Sequence, residues 1–136
     1  MLEIIDIATP RAYPPRVSAF TRRFWSSLAE GRLETTRCTA CQRFSFPPKQ
    51  LCPHCWHREV AWAPLSGNGR LYAATAIHAA PLAFRAVAPY RVGIVDLDEG
   101  IRLACALLEN LPLDSPVRLV VLRHPDGPLF AARSVG

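Results

Sequence analysis

Four of the chain's five cysteines lie within residues 37–56, as two CxxC pairs: Cys38 with Cys41, and Cys52 with Cys55. A CxxC on a tight turn sets two thiolates on one side of the backbone, a metal–sulfur bond from a common point. Two such knuckles supply four soft ligands for a tetrahedron, which suits zinc. The gap between the pairs is shorter than in most paired CxxC sites. It still holds a short hairpin through Phe44 and Phe46 and a turn near Pro47 and Pro48. A redox pair needs one CxxC at a helix start after a strand, and that context is missing. A disulfide framework fits poorly with an odd number of cysteines. The opening residues also lack a basic segment before an apolar block, so the expected location is cytoplasmic, where disulfides are rare. Four sulfurs leave no open position for water, so the predicted zinc is structural, contributing on the order of 10 kcal/mol to folding. His54 sits inside the second CxxC and is expected to point away from the metal, and His57 reaches it only with local rearrangement. Cys105 falls on an apolar strand as a small core residue.

Such a staple matters because the chain has only 136 residues. That length suits one compact unit or two small ones sharing a surface, and small pieces need metal or disulfide support. No apolar run approaches a membrane span. Net charge is +5, and fifteen of sixteen basic residues are arginine. Residues 1–63 carry nine basic groups against five acidic, whereas residues 64–136 are nearly balanced. The excess can attract nucleic acid, a nucleotide-like cofactor or an acidic partner, or can be an ordinary solvated surface.

Residues 1–17 hold three prolines and no sustained period, and read as an extended arm lying on a partner or on the rest of the chain. In residues 18–31, Phe20, Phe24 and Leu28 recur at helical spacing, with Ser18 able to cap the start and Gly31 to end it. This apolar face packs on the chain itself or on a partner. Residues 32–63 hold the cysteines between two strands. Residues 64–136 read as five short strands separated by turns, which predicts a small closed barrel.

The whole layout resembles a known family, the acyl-CoA-associated zinc-ribbon and OB-fold proteins of a domain-of-unknown-function class that partner thiolase-like enzymes. The segments carrying the resemblance are FWSSLAEGRLETTRCTACQRFSFPPKQLCPHC, GNGRLYAATAIH, APYRVGIVDLDEGIRLACAL and PVRLVVLR. It extends from about Phe20 to the end. It implies a mainly β fold: an N-terminal helix, a rubredoxin-like zinc ribbon over 32–63 and a five-stranded OB-fold barrel over 64–136. It also implies zinc on Cys38, Cys41, Cys52 and Cys55. His78, Pro89, Tyr90, Asp98, Glu99 and Gly100 match recurring family positions without an assigned role. Ser115 stands where the loop before the fourth barrel strand usually carries a glycine.

The function expected is that of a non-catalytic accessory subunit that binds acyl-CoA or supports a thiolase-like, hydratase-like or aldolase-like partner. Arginines suit the CoA phosphates, with Arg70, Arg85 and Arg91 best placed, and the apolar loop from Pro81 to Pro89 suits the thioester end. No nucleophile–base pair or carboxylate pair can be assembled, and His78 reads as a strand-end histidine. A purely structural bridge between enzymes is a variant of the same reading. The alternative is a nucleic-acid-binding module, since ribbons and OB barrels both serve that role. Against it, the barrel half offers few aromatics and little net charge.

Overall fold

The computed structural model describes residues 1–79, 81, 82, 84 and 89–135. The arm forms a strand, β1 (Ile4–Asp6), followed by one helix, α1 (Arg22–Ala29). Three short strands make the cysteine module: β2 (Glu34–Cys38), β3 (Phe44–Ser45) and β4 (Val60–Pro64). Five longer ones make the barrel: β5 (Asn68–Ile77), β6 (Tyr90–Leu97), β7 (Arg102–Leu107), β8 (Pro116–His124) and β9 (Gly127–Ser134). The expected mainly β architecture with an OB-fold barrel is present.

Alternation in the barrel strands sets which residues turn inward. In β5, Gly69 and Leu71 are buried between exposed Asn68, Arg70 and Tyr72, and in β6 Val95 and Leu97 face the same core. The sheet runs β5–β6–β7–β9–β8 and returns to β5, so the barrel closes. All contacts around the ring are antiparallel except β7 with β9. A bulge after Leu71 makes Tyr72 the extra residue. The Arg102 guanidinium lies 3.6 Å over the Tyr72 ring and forks onto both Asp96 oxygens, at 2.6 and 3.1 Å.

The arm lies on its own chain. β1 pairs in parallel with Val121–Arg123 of β8, where β5 has already curved away. Asp6 and Glu3 meet Arg123 and Arg133 at 2.7 and 3.1 Å. Further along, the Arg11 N–H donates to Asp126 (2.9 Å) and its guanidinium to the Asp126 carbonyl (2.6 Å), so the arm is latched to the β8–β9 turn.

The helix starts directly after a reciprocal exchange that ends at its N-cap, Thr21, so Ser18 braces the turn before the helix and does not itself cap it. The Thr21 N–H donates to the Ser18 hydroxyl oxygen, and the Ser18 N–H donates to the Thr21 hydroxyl oxygen. It ends where Gly31 adopts φ +85°, with the Gly31 and Arg32 N–H groups returning to Leu28 and Ser27. A side chain at Gly31 would also press on the Leu2 carbonyl. The apolar face of α1 packs inward. Phe24, 3% exposed, sits edge-on to Trp25 on the helix, Phe46 on the cysteine module and Phe130 on β9, with centroids 4.9 to 6.3 Å away. Leu28, Leu33 and Leu65 continue this cluster into Leu71 and Val95, so one core runs through helix, ribbon and barrel.

Candidate metal centre

β2 sits between β3 and β4, and its last residue is Cys38. Two buried threonines anchor the loop beyond β3. The Thr35 hydroxyl donates to the Ser45 carbonyl, and the Thr36 hydroxyl oxygen accepts from the Lys49 N–H at 2.9 Å. These bonds hold the segment that returns the chain to Cys52.

The two knuckles are built alike. The Cys38 N–H donates to Arg43 and the Cys52 N–H to His57, each five residues on and each at 3.0 Å. The residues after each second cysteine, Gln42 and Trp56, both take φ +66° and donate back to the Cys38 and Cys52 carbonyls. Between those bonds, backbone amides turn toward sulfur: Cys41 and Ala40 to Cys38 Sγ at 3.4 and 3.3 Å, and His54 to Cys52 Sγ at 3.4 Å.

This geometry brings all four sulfurs within 4.8 Å of one another, with Cys38–Cys55 and Cys41–Cys52 both at 3.6 Å. A disulfide needs about 2.05 Å. A tetrahedron with metal–sulfur bonds near 2.3 Å has edges of about 3.8 Å, so the residues fit a tetrathiolate ion. Amide donation, from Cys41 above all, lowers the Cys38 thiol to about 6 against its desolvation. At Cys52 desolvation opposes ionisation, but the amides of Cys55 and His54 outweigh it and its pKa also falls. At Cys55 the His57 amide favours the thiolate, yet desolvation and the three neighbouring sulfurs together push it up to about 11. Four thiolates so close repel, and a divalent cation relieves that repulsion. Bound there, the ion supplies structure by tying the knuckles together. His54 and His57 are exposed and stand outside the sulfur cluster. Cys105 lies on β7, where burial raises its thiol to about 12.

The other residues singled out from sequence are dispersed. Arg70 donates to the Asp114 carbonyl at 2.8 Å, beside a cleft that also holds Asp96, Asp98 and Asp114. Arg91 pairs with Ala76, six positions along β5 from Arg70, or about 20 Å at strand spacing. The two do not meet at one anion, and Arg85 lies outside the described residues. Arg91 instead borders the roomiest of the described clefts, about 760 Å³, whose walls include Tyr13, Phe84, Tyr90, Leu122 and His124. Its aromatic side is a stack, with Phe84 5.3 Å from Tyr90 and 6.4 Å from Tyr13. Sequence reasoning missed Tyr13 and His124 because they come from the arm and from the far end of β8.

Several of the recurring positions hold turns. The Glu99 carboxylate accepts from the Ser66 N–H at 2.8 Å, bracing the entry to β5, and Gly100 takes φ +90° in the β6–β7 hairpin. Ser115 replaces the usual glycine without loss of the turn, because Asp114 adopts φ +64° and the Ser115 hydroxyl donates to Pro112 at 2.7 Å. His78 is exposed just beyond β5.

Residues 25–61 match the ChsH2 rubredoxin-like zinc ribbon domain, and residues 62–123 match the ChsH2 C-terminal OB-fold domain. A DUF35 domain-containing scaffold protein of Methanocaldococcus jannaschii is 34% identical over 68% of this chain and 67% of its own. The benzoylsuccinyl-CoA thiolase subunit BbsA of Thauera aromatica is 32% identical over 79% of this chain and 77% of its own. Among solved structures, a chain of the Ltp2-ChsH2(DUF35) aldolase superposes with a TM-score of 0.78, at 29% identity, over 90% of this chain and 100% of that one.

Proposed function

The chain belongs to the family of ChsH2-type zinc-ribbon and OB-fold proteins, and on that premise we propose that it is a metal-stabilised, non-catalytic accessory subunit of an acyl-CoA enzyme. Its partner is thiolase-like, hydratase-like or aldolase-like. The observation that carries this reading is the match along the full length of a chain of the Ltp2-ChsH2(DUF35) aldolase. A thiolase subunit and a scaffold protein stand among the relatives and agree with it. The metal centre fits a supporting role, since four sulfur ligands leave it no site for substrate.

Direct contact with acyl-CoA is the finer part of the proposal. The cleft beside Arg91 is within the size range of small-molecule sites and is mostly apolar, as the pantetheine arm and acyl group require. Arg91 supplies a cation at its edge. The test is affinity purification of the full chain from its native host, followed by calorimetry of the recovered complex with a CoA thioester. An acyl-CoA enzyme in stoichiometric amount is expected, and Tyr90→Ala should weaken thioester binding about tenfold while the complex stays intact. Recovery of the chain alone under mild conditions refutes the accessory role, and equal thioester binding by Tyr90→Ala refutes the cleft.

A further inference from the structure

The two metal knuckles share a backbone plan but not a side-chain plan. Gln42 and Trp56 occupy corresponding positions, both at φ +66°, a conformation that bulky residues rarely adopt. The Gln42 side chain is tethered, its amide donating to the Thr39 carbonyl at 2.9 Å. Trp56 is 71% exposed, and among the described residues its ring stacks on no aromatic and no cation. Leu51, just before the same knuckle, and Pro53 within it are exposed as well. The chain thus holds one of its three tryptophans outward, in an unfavourable backbone state, on a hydrogen-bonded knuckle.

The surroundings say what would cover it. From residue 35 to residue 58 there is no carboxylate, while Arg37, Arg43, Lys49 and Arg58 are all exposed. None of the four joins an ion pair among the described residues. We infer that the second knuckle is the chain's docking point for its partner enzyme, with Trp56 entering an apolar recess that is ringed by carboxylates. Tryptophan and arginine are the residue types that dominate binding energy at protein interfaces, and a preformed knuckle loses little freedom on docking. Complementary charge around the recess speeds encounter and sets orientation. This inference rests on the accessory-subunit reading and adds which surface meets the enzyme.

The experiment uses the acyl-CoA enzyme that co-purifies with the wild-type chain, identified by mass spectrometry and purified separately as the probe. Its affinity is measured by biolayer interferometry for the full-length wild type, Trp56→Gly and Lys49→Glu/Arg58→Glu. Trp56→Gly relieves the backbone strain, so its unfolding midpoint should equal or exceed that of wild type while Kd rises at least about 30-fold. The double charge reversal should slow association at least about tenfold at low salt and much less at 0.5 M NaCl. If wild type binds no such enzyme, the accessory reading falls and this surface with it. If wild type binds and Trp56→Gly binds within threefold, the docking assignment alone falls. It falls equally if the effect of Trp56→Gly is instead to abolish self-association in ultracentrifugation or binding to oligo(dT).

Discussion

Replacing Phe24 with alanine should loosen the whole chain rather than the helix alone. The ring is 3% exposed and touches helix, ribbon and barrel through Trp25, Phe46 and Phe130. Truncating a buried phenylalanine costs about 3–5 kcal/mol. Three edge-on partners, each worth about 0.5–1.5 kcal/mol beyond area, keep this site from falling below the middle of that range, about 4 kcal/mol. With an unfolding entropy near 2.1 cal/mol/K per residue, a chain of 136 residues has about 0.29 kcal/mol/K at its midpoint, so 4 kcal/mol lowers Tm by about 14 °C. Phe24→Leu keeps most of the volume and should lose only about 1.5 kcal/mol, or roughly 5 °C. Differential scanning calorimetry of zinc-loaded protein measures both. A double cycle with Phe130→Leu should also show coupling of about 0.5–1.5 kcal/mol. A drop under about 3 °C for Phe24→Ala, or strict additivity with Phe130→Leu, would refute the idea that this ring joins the modules.

Cys52→Ser should reduce bound metal from one equivalent to substoichiometric levels by elemental analysis, and the variant should unfold at chelator concentrations that wild type withstands. Gly69→Ala places a methyl group against the Asp96 carbonyl of the facing strand. It should lower Tm by roughly 5–10 °C, on the scale of an overpacked core. The Asp126 carboxyl is held below its ordinary value first by the Arg11 N–H, against desolvation, and then by its own backbone N–H and the Arg11 charge. A depressed folded value means the latch contributes above the unfolded carboxylate range near 3.9 and is lost as pH falls through the folded value. The Tm gap between wild type and Asp126→Asn should therefore be open at pH 6 and narrow as pH falls below about 3.9 and on through the lowered folded value.

Much of this was legible because it is local. The CxxC spacing, the Phe24–Leu28 face of the helix and the five strands of the barrel depend on near neighbours, and each appears where expected, whereas Phe20 falls in the turn before the helix, which begins only at Arg22. Register and long-range pairing do not. β1 has only three residues and no alternation, and its parallel partner lies more than a hundred positions away. The distance between Arg70 and Arg91 likewise follows from the β5–β6 register, which no spacing in the sequence reveals. Trp56 escaped notice because its significance is conformational: only the backbone shows that it occupies the position glycine would fill without cost.

β8 divides one margin between two neighbours, β5 along its first residues and β1 along Val121–Arg123, while β9 covers the other throughout. Without β1, the amides and carbonyls of Val121–Arg123 would face outward as an open template for any passing extended segment. A second copy's first residues, with carboxylates at Glu3 and Asp6 spaced to reach Arg133 and Arg123, would match it best. Trimming the first seven residues would therefore not shorten a loose end but unseal a wall.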